Sequence, residues 1–161
     1  MDSERLEKLI IDLSRQCNVD SDLALAIAYV ESGLNPYTAR YEPLWRYLVT
    51  PERYALRLGI TIETEIQLQK FSYGALQIMG SNARVLNFNG MITLLVQPQL
   101  GTLYALKHLQ MLQRKYSNEL DLISSYNQGS PVKINKLYRN QIYVQKVLDR
   151  LAYLRGKNGH S

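Results

Sequence analysis

The chain has 161 residues, 46% of them hydrophobic, so it is long enough for a single domain, residues 1–161, and its few prolines and glycines exclude a collagen-like chain. Cys17 is the only cysteine, so we expect no internal disulfide. The two histidines, His108 and His160, are too far apart in the sequence to suggest a metal site, and we expect no cofactor. His108 is expected to face solvent on a helix. The net charge of +5 is concentrated from Lys133 onward, which either attracts an anionic polymer such as cell-wall glycan, nucleic acid or a lipid surface, or is the solvated face of a helix.

The first half of the chain begins with two predicted helices. Ser3 is a candidate cap for a helix over 4–16, whose apolar residues recur at helical spacing. The second helix, over 20–32, has acidic and hydroxyl residues before it and Gly33 after it. Residues 37–72 are the least regular part, with a short helix over 51–58 that begins at a proline.

Helices also dominate the second half. A short apolar run, 73–79, precedes the longest predicted helix, over 98–116. Asn118 is placed to cap a short helix that ends near Tyr126 and Asn127, and a final helix is predicted over 138–154. Strand patterns are weak throughout, so the fold class is mainly α.

The sequence predicts neither a secretory signal at the N-terminus nor a membrane span. The first residues are acidic and then amphipathic, unlike a secretory signal peptide. No apolar run reaches the length of a membrane span. If the substrate lies outside the cytoplasm, we expect another component to deliver the protein.

Glu31 has an unusual position for a carboxylate. It follows the apolar stretch Leu23–Val30 and lies in the last turn of the predicted helix over 20–32. The partial negative charge of a helix C-terminus and apolar neighbours both raise the pKa of a carboxyl group. A carboxylic acid that stays protonated near neutral pH suits general acid catalysis, and the alternative is a solvated glutamate that ends a core helix.

Four short segments in order resemble one family. They are Glu31-Ser32-Gly33, residues 74–79 (GALQIM), residues 125–129 (SYNQG) and residues 143–148 (YVQKVL). In this order they resemble the E-S-G, G-L-M-Q-I-M, A-Y-N-A-G and Y-V-x-x-V-L motifs of the lytic transglycosylase domain, which is related to soluble lytic transglycosylases and goose-type lysozyme. The resemblance covers about residues 18–154.

The resemblance implies a lysozyme-like helical domain with a groove for peptidoglycan, and cleavage of the β-1,4 bond between N-acetylmuramic acid and N-acetylglucosamine. Glu31 matches the single catalytic acid of the family. It would protonate the glycosidic oxygen and then, as a carboxylate, take the proton of the muramoyl C6 hydroxyl, which closes a 1,6-anhydro ring. One group would serve both steps, in contrast to the usual pair of carboxylates in glycosidases.

The resemblance also implies substrate-binding roles at the other matched positions. Gln77 would hydrogen-bond sugar, Gly74 would allow close backbone approach, and two tyrosines would orient Glu31 or contact substrate. Several of these positions also have a structural alternative. Gly74 would start a helix, Asn127 would be a helix C-cap, and Ser32 would hold the end of its helix in place by hydrogen bonds. The two tyrosines and Met79 would pack in the core. The full set is Ser32, Ser72, Gly74, Gln77, Met79, Tyr126, Asn127 and Tyr143.

The chain departs from the family pattern between Glu31 and Gly74, which are 43 positions apart. Residues 41–71 are therefore interpreted as an insertion. Its aromatic residues, Tyr41, Trp45 and Tyr47, would either stack on sugars or cover the core. Glu42 would promote hydrolysis if it reached the groove and positioned a water molecule.

The leading hypothesis is therefore a peptidoglycan lytic transglycosylase that acts as a monomer on glycan strands, not on nucleic acid. A bacteriophage origin is expected, with the protein carried in the virion or made in the host cytoplasm and delivered to the cell wall. The alternatives are a muramidase, which is a hydrolase, and a non-catalytic wall-binding or virion structural protein.

Overall fold

The computed structural model describes residues 1–158, and His160 lies outside them. As expected, the fold is a mainly α, lysozyme-like domain. Its centre is helix α2, Ser21–Ser32, whose residues from Leu23 to Ala28 are all buried. Among the described helices none is long and apolar enough to cross a membrane.

The N-terminal helices form where local signals predict them. Helix α1 is Ser3–Gln16, but the predicted cap is wrong: Ser3 is the first helical residue, and the Asp2 side chain, one position earlier, accepts the hydrogen bond from the backbone N–H of Arg5. Asp20 caps α2 through two backbone N–H groups. The helix ends at Gly33, whose φ of 62° is left-handed and therefore favours glycine.

A small antiparallel sheet and a helical hairpin follow α2. The sheet has the strand order β1 (Ala39–Tyr41), β2 (Phe71–Tyr73) and β3 (Ile78–Met79), and Arg40 pairs with Ser72 across the first two strands. Between β1 and β2 lie α3 (Pro51–Leu58) and α4 (Ile62–Gln69), which pack against each other.

The rest of the chain closes the domain around α2. The elements are α5 (Gly80–Val85), a 3₁₀ helix (Ile92–Val96), α6 (Pro98–Lys115), α7 (Glu119–Gln128), a hairpin of β4 (Lys133–Ile134) and β5 (Leu137–Tyr138), and α8 (Gln141–Asn158). Helix α8 packs along α2, and α7 packs against both α6 and α8.

The predicted start of the last helix at residue 138 is wrong. Tyr138 belongs to β5, and α8 begins three residues later, at Gln141. The hairpin turns at Asn135 and Lys136, whose φ angles are both positive, as in the mirror-image turns that join two strands. Lysine is a weak signal for such a turn, so the hairpin was not predicted from the sequence.

The prediction that His108 faces solvent is also wrong. His108 is 7% exposed, and its ring lies 5.6 Å from that of Tyr126. The cause is the central position of α6, which packs against α1, α5 and α7, so that more than one face of the helix is buried. Burial lowers the pKa of His108 to about 4.

Candidate active site

Glu31 lies in the last turn of α2 with its side chain 6% exposed. Burial in this position raises the pKa of its carboxyl group above 4.5, the ordinary value. Burial at the end of this core helix is therefore the largest cause of the raised pKa of Glu31. The structure provides the environment that was expected for Glu31 from the sequence.

Arg40 and Glu42 lie beside this carboxyl group. Arg40 Nη2 is 4.0 Å from Glu31 Oε2, and Arg40 Nε donates to Glu42 Oε1 at 2.6 Å. The guanidinium of Arg40 lowers the pKa of Glu31 and the carboxylate of Glu42 raises it, but both effects are smaller than that of burial. Glu42 therefore reaches the site, where it is paired with Arg40.

Two tyrosines from different helices approach Glu31. The Tyr126 hydroxyl, on α7, donates to the backbone oxygen of Leu76 at 2.6 Å. The Tyr143 hydroxyl, on α8, is buried, lies near enough to Glu31 to lower its pKa, and meets hydrogen-bond geometry with no group of residues 1–158. A small movement would complete a hydrogen bond between Tyr143 and Glu31.

Gln77 holds together the turn that joins β2 and β3. Its Nε2 donates to the carbonyls of Gly74 and Thr38, at 2.8 and 3.1 Å, and its Oε1 accepts from Ser72 Oγ at 2.8 Å. Both amide hydrogens are therefore used within the protein, and Oε1 retains one lone pair for a ligand. Gly74 has a φ of 76°, which favours glycine at this position.

Ser32 joins the end of α2 to the same turn. Its hydroxyl donates to the carbonyl of Ala75 at 2.7 Å and accepts from the backbone N–H of Asn35. Ser32 does not line the cavities beside Glu31. These bonds fix the acid-bearing turn of α2 against residues 74–77.

Three adjoining cavities form a groove past Glu31. A central cavity of about 270 Å³ and a second of about 460 Å³ share Glu31, Arg40 and Asn127 in their walls. A third, of about 240 Å³, adjoins the central cavity at Trp45, Asn82 and Gly129. Glu31 therefore lies where two cavities meet, open to a long ligand on both sides.

The predicted site residues divide into two groups in the structure. Those that line a groove cavity are Ser72, Gln77, Met79, Tyr126, Asn127 and Tyr143. Ser32 and Gly74 lie behind them and shape the turn. The alternative of a C-cap at Asn127 is wrong, because Gly129 is the C-cap of α7. Asn127 is exposed and accepts a hydrogen bond from Asn140.

The segment 41–71, predicted as an insertion, contributes one aromatic residue to the central cavity. Trp45 lies in its wall, and its Nε1 donates to Ser81 Oγ at 2.8 Å. Tyr47 packs against Trp45 edge-on and lines the third cavity. Tyr41 packs on Phe71 and lines none of the three cavities.

A fully buried ion pair anchors this segment to the rest of the domain. Glu65 on α4 and Arg84 on α5 are both 0% exposed, with Arg84 Nε 2.8 Å from Glu65 Oε1. The guanidinium also donates to the carbonyls of Phe88 and Gly90 and lies 4.0 Å from the ring centroid of Tyr54. The hairpin of α3 and α4 is thereby held in place.

Sequence reasoning missed several groove residues. Arg40, Asn82, Arg139 and Lys146 line the cavities; the first three lie outside the four motifs, and Lys146 occupies a variable position of the fourth. The basic charge from Lys133 onward signalled Arg139 and Lys146 without placing them in the groove, and a search for cations near the candidate acid would have found Arg40, two positions before Glu42. The others are separated from Glu31 by 50 positions or more.

A mainly α domain with a carboxyl group buried beside an open groove has the architecture of a lysozyme-like domain. The chain belongs to the transglycosylase SLT domain family, whose family model matches residues 8–146. Membership supports a peptidoglycan-degrading function of the lytic transglycosylase type, and it implies a peptidoglycan substrate. Comparisons with curated proteins and with solved structures found no match.

Proposed function

We propose that the protein is a peptidoglycan lytic transglycosylase in which Glu31 acts first as the general acid and then as the general base. The bond cleaved is the β-1,4 bond between N-acetylmuramic acid and N-acetylglucosamine. The products are a glycan that ends in 1,6-anhydromuramic acid and one with a new N-acetylglucosamine end.

The single observation that carries the proposal is the buried carboxyl group of Glu31 at the meeting point of two cavities. Its raised pKa favours the protonated form that a general acid needs. A sugar in each cavity would place the bond between them beside this acid. The family assignment agrees with such a substrate.

In the first step the Glu31 carboxyl proton moves to the glycosidic oxygen, and the bond from that oxygen to C1 of the muramoyl residue breaks with both electrons on the oxygen. The resulting carboxylate then takes the proton of the C6 hydroxyl as the C6 oxygen bonds to C1. Glu31 is protonated again at the end, so no water is consumed. Arg40, 4.0 Å away, stabilises the carboxylate between the two steps.

Glu42 favours a second candidate function, hydrolysis, because its side chain lines the same cavity as Glu31. A carboxylate there could activate water against C1 and release reducing muramic acid. Its 2.6 Å contact with Arg40 favours the transglycosylase instead, because the guanidinium neutralises it and holds it in place. Mass spectrometry of digested sacculi distinguishes the two, because the anhydro product is lighter than the reducing one by one water.

The test of the role of Glu31 is the Glu31→Gln variant, which keeps the shape of the side chain and removes its proton chemistry. We expect turnover of purified sacculi to fall by about 10²–10⁴-fold, the usual contribution of a general acid or base. Glu63→Gln, an exposed change on α4, is the matched control and should retain full activity.

A folded Glu31→Gln protein that degrades sacculi at the rate of the unaltered protein would show that another group supplies the proton. If the unaltered protein binds sacculi and releases no fragments, the chain is a wall-binding or structural protein. Circular dichroism of each variant separates loss of chemistry from loss of fold.

A further inference from the structure

The groove differs in charge on the two sides of Glu31. The third cavity, beside Trp45 and Tyr47, has no acidic or basic side chain from residues 1–158 in its wall. The second cavity has three basic side chains, from Arg40, Arg139 and Lys146, against one acid, Glu31. One end of the groove is therefore neutral and the other is cationic.

Two of these cations are not used within the protein. Within residues 1–158, the side chains of Arg139 and Lys146 make neither an ion pair nor a hydrogen bond, whereas Arg40 is paired with Glu42. Both residues are exposed, so an incoming anion meets them with little desolvation cost. The cavity can bind negative charge without breaking an existing contact.

The remaining wall of the cationic cavity is suited to a peptide. Ile142 is 77% exposed at its edge, and Val30 lies in the same wall. Cations beside aliphatic side chains match a ligand that carries carboxylates and small apolar side chains.

We infer that the cavity lined by Arg139 and Lys146 binds the carboxylate-bearing peptide stem of a muramoyl residue. The inference rests on the proposed function, because it assumes peptidoglycan in the groove. Muramoyl sugars carry such a peptide and N-acetylglucosamine does not, so the pocket favours the register in which a muramoyl residue lies on this side of Glu31. The pocket thus selects which glycosidic bond lies against Glu31.

The test compares two soluble glycans from sacculi, one with its peptides and one stripped by an amidase. Binding is measured in the Glu31→Gln background, so that cleavage does not interfere. For Arg139→Gln/Lys146→Gln we expect the ratio of affinities, peptide-bearing over stripped, to fall about two- to thirtyfold, the range for two exposed ion pairs. The charge-conserving exchange Arg139→Lys/Lys146→Arg should largely restore the ratio.

The matched control is Lys8→Gln/Arg114→Gln, which removes the same charge from exposed positions on α1 and α6. Its ratio should equal that of the Glu31→Gln protein alone. An equal fall in the control pair would overturn the inference, because general attraction between opposite charges would then explain it.

Two further outcomes would overturn it. An unchanged or higher ratio would assign the cations to a group other than the peptide; a higher ratio would identify it as the lactyl carboxylate, which the amidase frees from its amide bond and which only the stripped glycan carries. Displacement of the peptide-bearing glycan by a short DNA duplex, lost in Arg139→Gln/Lys146→Gln, would assign the cavity to nucleic acid. These binding results hold whether or not Glu31 proves to be the acid, so failure here is distinguishable from failure of the proposed function.

Discussion

Replacing Arg84 by methionine should destabilise the domain strongly. The change removes four hydrogen bonds, two to Glu65 and one each to the carbonyls of Phe88 and Gly90. It leaves the side-chain amide of Gln69 as the one remaining hydrogen-bond donor to the buried Glu65 carboxylate within residues 1–158. Breaking a buried pair in this way costs about 3–5 kcal/mol, which is a large part of the total stability of about 5–15 kcal/mol.

The assay is thermal unfolding followed by circular dichroism. For a chain of this size the loss corresponds to a fall in Tm of about 6–20 °C. The companion variant is Glu65→Leu/Arg84→Met, which removes both charges. It should lose less stability than Arg84→Met alone, because no buried carboxylate remains unpaired. Both variants lose the bonds to Phe88 and Gly90, so the difference between them isolates the carboxylate.

Equal destabilisation of the single and double variants would refute this reasoning. It would mean that the carbonyls of Phe88 and Gly90, together with the packing on Tyr54, account for the contribution of Arg84. A fall in Tm of the single variant below about 2 °C would also refute it, because a buried charge would then have lost its partner at almost no cost.

Three further predictions concern the site. Arg40 lowers the pKa of Glu31 and Glu42 raises it. If activity requires protonated Glu31, Arg40→Gln should therefore move the alkaline limit of the pH–activity profile to higher pH, and Glu42→Gln should move it to lower pH. Shifts of the two variants in the same direction would contradict this. The pKa of Glu31 is higher in the folded than in the unfolded state, so its contribution to stability is complete below about pH 4.5 and is lost as the pH rises through the folded-state pKa. Glutamine does not titrate, so the Tm of Glu31→Gln, relative to that of the unaltered protein, should be higher at pH 8 than at pH 4. Ser32→Ala should lower the free energy of unfolding, measured in urea, by about 1–3 kcal/mol, because the carbonyl of Ala75 loses its hydrogen-bond donor. An unchanged urea midpoint would show that this hydrogen bond does not stabilise the domain.

The helices and the position of Glu31 could be predicted because their signals are local. Asp20 caps α2 through residues two and three positions away, and Gly33 ends it through a left-handed φ. The apolar residues between them bury the helix. A carboxyl group in its last turn, beside those residues, was therefore expected to have a raised pKa, and it does.

Two local predictions failed for physical reasons. The turn at Asn135 and Lys136 uses positive φ angles at residues that are only weak signals for them, so the hairpin before α8 was predicted as helix. His108 is polar, but α6 is covered on more than one side. Helical periodicity identifies an apolar face and does not report how many neighbours a helix will have.

The sequence by itself determined the position of Glu31, the helix that carries it and the order of the four motifs. Only the tertiary structure decided what surrounds the acid. Arg40 reaches Glu31 from β1, the strand that pairs with β2, while Tyr143 approaches from α8, more than a hundred positions along the chain. Packing also directed both amide hydrogens of Gln77 to backbone carbonyls and left Arg139 and Lys146 without partners in the groove wall. Caps and helix stops act over a few residues, whereas these distances and unpaired charges depend on how whole elements pack together.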